Sequence, residues 1–155
     1  MLKDEIKQAI FALQKQYPVK RSALIPALLF AQKQEGYLSL TIQAEVAALF
    51  ELDPNEINAI VTFYDMLYDH PMGKHLVHLC KNVSCMLKGS DELTASICQK
   101  LNVKISETTE DGKYTVLQSE CLGACDRAPM MILDEKVFGP LKQTDLDQIF
   151  KCSHE

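Results

Sequence analysis

What this sequence lacks narrows it first. It has no surplus of basic charge: 16 Lys and Arg stand against 21 Asp and Glu, for a formal net charge of −5. A surface that tracks phosphates needs clustered Lys and Arg, so nucleic acid is not the expected partner. An apolar run of spanning length is also missing. The longest, around residues 23–31, is broken by Pro26, whereas a membrane helix needs about 20 such residues. The opening Met1-Leu2-Lys3-Asp4-Glu5 has neither the apolar region of a signal peptide nor the Arg-rich, acid-poor character of a transit peptide. A cytoplasmic protein without membrane insertion is the expectation. No C-x-x-C occurs, which excludes a thioredoxin-type dithiol. P-loop, G-x-G-x-x-G and Ser or Cys motifs with an orienting His and acid are absent too, so no catalytic residue is assigned.

What is present is apolar residue, 47% of 155, enough for one domain or a small domain with an added helical piece. Residues 1–70 read as an antiparallel helical bundle. Ile6, Ile10 and Leu13 recur at helical spacing before Tyr17-Pro18. A second helix is predicted over 21–34, stopping before Gly36, and a third over 39–50. The fourth opens on Asp53 as N-cap, Pro54 at the first helical position and Glu56 completing a capping box, and runs to about Tyr68.

Composition changes at Asp69-His70-Pro71-Met72-Gly73. Residues 71–155 then read as strand (75–80), helix, strand (114–117), an antiparallel strand pair around 130–138, and a last helix. Ser90 is the predicted cap of the first of these helices, with Leu93, Ile97 and Leu101 as its buried stripe. Thr144 and Asp147 make a capping-box pattern for the last. This order belongs to a compact α/β domain with helices packed on a small sheet.

The cysteines carry the chemistry. In a reducing compartment six of them do not make a disulfide framework, and metal or redox chemistry is the default. Four form the pattern Cys80-x4-Cys85, 35 residues, Cys121-x3-Cys125. Zinc and iron–sulfur both fit such spacing. An α/β core able to stand without a structural metal favours iron–sulfur, and spacing alone leaves zinc open. A cluster held by four thiolates carries net negative charge, which grows on reduction and requires N–H donors aimed at sulfur. Leu122-Gly123-Ala124 and Asn82-Val83-Ser84 suit that role, because small residues let backbone approach closely.

The flanks of these cysteines add a resemblance. Residues 78–85 with Gly89, Glu120-Cys121-Leu122-Gly123-Ala124-Cys125 and Ala128-Pro129-Met130-Met131 resemble the 24-kDa family, the small [2Fe–2S] subunit of NADH:quinone oxidoreductase. Val61-Thr62-Phe63-Tyr64 with residues 71–75 resembles the family's junction between helical arm and cluster domain. Residues 32–38 resemble its second helix and turn, and 111–114 the run before its second cysteine pair. The likeness spans about residues 15–150. It implies a thioredoxin-like [2Fe–2S] ferredoxin domain behind a helical docking arm, with one cluster on Cys80, Cys85, Cys121 and Cys125. It further implies a non-catalytic role in electron transfer, peripheral on the cytoplasmic side of the bacterial inner membrane. Its partners would be a flavoprotein subunit binding FMN and NADH, and a large iron–sulfur subunit. Small subunits of NAD-linked hydrogenases or formate dehydrogenases, and a free-standing thioredoxin-like ferredoxin, are the alternatives.

The remaining candidates take plainer readings. Cys98 falls on an apolar helix stripe and reads as core. Cys152 reads as a free, accessible thiol. His75 and His78 are not needed as ligands beside four cysteines. Met130-Met131 reads as strand core, and the thioredoxin-like resemblance implies that the peptide bond of Pro129 shapes the cysteine loop. Phe63, Tyr64 and Tyr68, at the end of the fourth helix, read as aromatics packed under the next domain rather than facing a partner.

Overall fold

The structure is a computed structural model that describes the backbone of residues 1–152 and the side chains of residues 1–150. It divides into two compact units, Met1–Pro71 and a second from Met72 onward. No helix among the described residues is long and apolar enough to cross a membrane.

The first unit is built of α1 (Asp4–Gln14), α2 (Leu24–Glu35), α3 (Leu40–Phe50) and α4 (Pro54–Phe63). Asp4 and Glu5 lie in the first turn of α1, where acidic charge meets the positive end of the helix dipole. A 3-10 turn, Lys20–Ala23, precedes α2, so the α-helix begins three residues after the predicted Arg21. Pro26 falls within the first turn of α2, where backbone N–H groups have no intrahelical partner to lose. Ser39 caps α3 by accepting the Ile42 N–H at 3.4 Å. Asp53 caps α4 by accepting the Asn55 N–H at 2.7 Å. Glu56 turns away from a capping box and pairs with Arg21.

The fourth helix ends at Phe63, short of the predicted Tyr68, and Gln32 supplies the reason. Its side-chain amide donates to the Met66 carbonyl at 2.9 Å, and its carbonyl accepts the Tyr68 N–H at 2.7 Å. The Tyr68 carbonyl in turn accepts the Leu38 N–H at 2.7 Å. Backbone groups satisfied in this way have no need of a helix. Ile10, Leu28, Leu38, Val46 and Ile57 are fully buried in the core between the helices. Gln43 is buried with them and satisfied: it donates to the Leu38 carbonyl at 2.7 Å and accepts from Asn58 at 3.1 Å. Phe63 is exposed, with its ring edge-on to Tyr64 at 5.2 Å.

The second unit contains β1 (His75–Cys80), α5 (Val83–Met86), α6 (Ser90–Leu101), β2 (Tyr114–Ser119), β3 (Met131–Leu133), β4 (Lys136–Phe138) and α7 (Leu146–Cys152). The strands form one sheet in the order β2-β1-β3-β4. β1 and β2 run parallel, in register from His75↔Tyr114 to Cys80↔Ser119. Parallel neighbours need a long crossover, and the chain carrying α6 provides it. β3 pairs antiparallel with β1 and with β4. The β3–β4 turn places Asp134 at φ 55°, where its carboxylate accepts the Leu76 N–H at 3.0 Å and meets His75 Nδ1 at 2.9 Å.

Val77, Leu79, Leu93, Ile97, Val116, Met131 and Phe150 make the core of this unit. Two caps differ from expectation. Gly89 at φ 87°, not Ser90, precedes the first turn of α6, and Ser90 is the first helical residue. Asp145 accepts the Lys142 N–H at 2.9 Å in a 3-10 turn, Gln143–Asp145, that leads into α7. The cap therefore falls two residues before the predicted Thr144–Asp147 pair. The thiol of Cys152 lies outside the described residues.

Candidate metal centre

Because β1 and β2 are parallel and end level with each other, the chain leaves both at the same edge of the sheet. Cys80 is the last residue of β1, and Cys121 follows the last residue of β2 by two positions. The ladder continues one step beyond the strands, with the Lys81 N–H donating to the Ser119 carbonyl at 3.1 Å and Lys81 Nζ paired to Glu120 at 2.7 Å. Cys85 lies in α5, and Cys125 opens the 3-10 turn Cys125–Arg127. Ala128–Pro129 and Gly139–Pro140 are cis peptides.

The four thiols are not equivalent. Cys80 and Cys85 are 3% and 1% exposed and pack with Met130, whereas Cys121 and Cys125 are exposed. Burial alone would raise the Cys80 thiol. The N–H groups of Asn82 and Leu122 donate to its sulfur, Cys85 donates as well, and together they hold it below the ordinary cysteine value. Burial first, then the contact with Cys80, pushes the Cys85 thiol up, and the Met130 N–H works in the opposite direction. Cys125 is close enough to Cys85 to raise it further by charge. Thus Cys80, Cys85 and Cys125 are brought into mutual influence. Among the described residues no three His, Cys, Asp or Glu side chains are gathered tightly enough to hold a metal ion.

The donor set fits an anionic iron–sulfur group. Backbone N–H groups from three separate loops converge on two thiols, and such donors stabilise negative charge on sulfur. Asn82 and Leu122 belong to the segments that sequence reasoning assigned to this task. Met130, expected as strand core, is buried immediately before β3. Its N–H has a second role that composition does not reveal. Gly139 is likewise invisible as a site residue until the fold is seen. A Cβ there would collide with the Arg127 carbonyl and lie 2.9 Å from Met130 Cβ, so the β4 exit packs directly on the Cys125 turn.

The other candidates fall elsewhere. His75 pairs with Asp134, and His78 Nδ1 lies 3.2 Å from Ser119 Oγ. Cys98 is half-buried on α6 against the core, and burial, followed by the charge of Glu107, pushes its thiol up. Val83, Met86 and Leu87 project from the α5 segment as exposed apolar side chains.

The chain is also similar to several known proteins. Among curated proteins the chain is 37% identical over 146 residues to an E-type NADH-quinone oxidoreductase subunit of Rhizobium meliloti, covering 94% of this chain and 87% of that protein. It is 31% identical over 135 residues to the E-type NADH-quinone oxidoreductase subunit of Escherichia coli K12, covering 87% and 81% respectively. In fold it resembles a chain of an NAD+-reducing [NiFe]-hydrogenase in the air-oxidised state, with TM-score 0.69 and 22% identity. That likeness covers 81% of this chain and only 22% of the hydrogenase chain. The model of the thioredoxin-like [2Fe–2S] ferredoxin family matches residues 10–154. With that match across nearly its whole length, the chain belongs to the thioredoxin-like [2Fe–2S] ferredoxins.

Proposed function

We propose that this chain is the electron-transfer subunit of an NADH:quinone oxidoreductase, holding one [2Fe–2S] cluster on Cys80, Cys85, Cys121 and Cys125. The observation that carries the reading is the near full-length identity to proteins named as E-type subunits of NADH-quinone oxidoreductase. When bound, such a cluster supplies a centre that accepts and releases one electron at a time. The Asn82, Leu122 and Met130 N–H groups hold negative charge at the buried thiolates without reorganising.

The exposed cysteine pair turns one side of the site outward, which suits exchange with a flavin on another subunit. The partners in this reading are an NADH- and FMN-binding flavoprotein subunit and a large iron–sulfur subunit. The chain would sit peripherally on the cytoplasmic side of the bacterial inner membrane, with the first unit as docking arm. Hydride chemistry belongs to the flavoprotein partner, so this chain alone turns over no NADH.

Anaerobic purification of the chain, alone and from its native host, tests the proposal. Expected are iron and sulfide in equal amounts, a visible charge-transfer spectrum, an EPR signal on one-electron reduction, and co-purification of a flavoprotein. A colourless protein containing zinc and no iron would sink it.

A further inference from the structure

The turn from Cys85 to α6 leaves a polar group without a role in the fold. Lys88 N–H donates to the Cys85 carbonyl at 3.1 Å, and Gly89 N–H to the Met86 carbonyl at 3.0 Å. Gly89 then takes the capping position, so the Ser90 side chain caps nothing. Ser90 is 4% exposed and its Oγ is buried without a hydrogen-bond partner. Among the described residues the other side-chain atoms in that condition, Glu45 Oε1 and Glu56 Oε1, belong to carboxylates engaged with Lys7 and Arg21. Ser90 has no such compensation. A buried hydroxyl without an acceptor costs about 1–3 kcal/mol, which points to a group that the protein chain itself does not supply.

The topology indicates which group. α6 lies in the crossover between parallel strands, so it runs opposite to β1 and begins at the edge where β1 ends in Cys80. Its buried stripe is Ser90, Leu93 and Ile97. Leu93 and Ile97 pack with Val77 and Leu79, and Ser90 stands one turn further toward the cysteine edge. Side chains of a helix tilt toward its N-terminus, which carries the hydroxyl in the same direction. The first turn of a twelve-residue helix adds its positive dipole end there. An anionic sulfur is the acceptor this site lacks.

We propose that Ser90 donates a hydrogen bond from its hydroxyl to a bridging sulfide of the [2Fe–2S] site, and so raises the reduction potential. The inference rests on the four-cysteine cluster of the preceding section. A donor to sulfur favours the more negative, reduced form.

The test compares cluster-loaded wild type, Ser90→Ala and Ser90→Thr. Redox titration followed by EPR should place Ser90→Ala at a more negative midpoint and return Ser90→Thr toward wild type. Resonance Raman in H2O and D2O should show an isotope shift in wild type that Ser90→Ala loses. The shift should fall in the bridging Fe–S bands, and one confined to the terminal bands overturns the proposal. Loss of the cluster from Ser90→Ala but not from Ser90→Thr supports the proposal equally. Loss from both variants, or a loaded Ser90→Ala with unchanged potential and isotope shift, overturns it. A wild-type protein without iron would instead overturn the cluster reading beneath it.

Discussion

Cys80 and Met130 share a backbone hydrogen bond, Cys80 N–H to the Met130 carbonyl at 3.4 Å, while the Met130 N–H donates to the thiol of Cys85. One residue thus links the end of β1 to the second thiol of the same pair. The link runs through backbone groups, so the positions of Cys80 and Cys85 are tied to each other through Met130.

Replacement of any one of Cys80, Cys85, Cys121 or Cys125 by Ala should abolish cluster assembly or reduce it severely. Cys98→Ala and Cys152→Ser should retain it. Iron and sulfide content after reconstitution, read with the visible spectrum, is the measurement. Equal loss from Cys98→Ala would show that the ligand set is wrongly drawn.

Gly139→Ala should disturb the site from a distance. Its new methyl group would press on the Arg127 carbonyl and Met130 Cβ, and overpacking of this kind costs about 1–3 kcal/mol. Thermal unfolding should report that loss. Faster release of iron to a chelator should accompany it, because the displaced backbone adjoins Cys125. An unchanged release rate would mean that the turn absorbs the methyl group without moving its thiol.

Gln32→Ala removes a donor and an acceptor that hold Met66 and Tyr68 to α2. Two such bonds predict a loss of about 1–3 kcal/mol. The first unit should lose stability, and amide exchange at Tyr68 should accelerate. Cluster content should stay at the wild-type level, since none of these residues lies in the second unit.

The Cys98 thiol titrates above its ordinary 9.0 through burial and Glu107. A group whose folded value is raised adds stability below the unfolded value, and that stability is lost as pH rises through the folded value. Alkaline unfolding should therefore include a component that begins above about pH 9 and disappears in Cys98→Ala. At pH 8, alkylation of Cys98 should be slow in the folded protein and quicken on denaturation.

Much of the architecture was legible from local chemistry. The Asp53-Pro54 helix start, the Gly36 stop and the strand from His75 to Cys80 each follow from side chains acting on their own backbone. The cysteine spacing limited the candidate site to a few metal chemistries, and the flanking residues identified the family. Missed features were those decided across long separations. Gln32 ends α4 by binding residues more than thirty positions away, and no periodicity records that. Ser90 reads as a cap in sequence because Ser-Asp-Glu resembles a helix start. Gly89 took the position through a left-handed φ that only the folded turn reveals. Met130 and Gly139 reach the cysteines by way of sheet pairing and loop packing, which have no local signature.

The level ending of β1 and β2 has a consequence for how the chain tolerates change in length. At the far edge, Lys74 and His75 N–H groups donate to the Gly112 and Lys113 carbonyls, yet the turn at Asp111-Gly112 is open to solvent and can take an inserted residue. Within β2 it cannot, because a one-residue slip turns every following side chain to the opposite face. Cys121 would then leave the sheet on the wrong side of Cys80. Inserted residues should therefore be found at Asp111-Gly112 and be absent between Tyr114 and Cys125, a polarity that any library of length variants would expose.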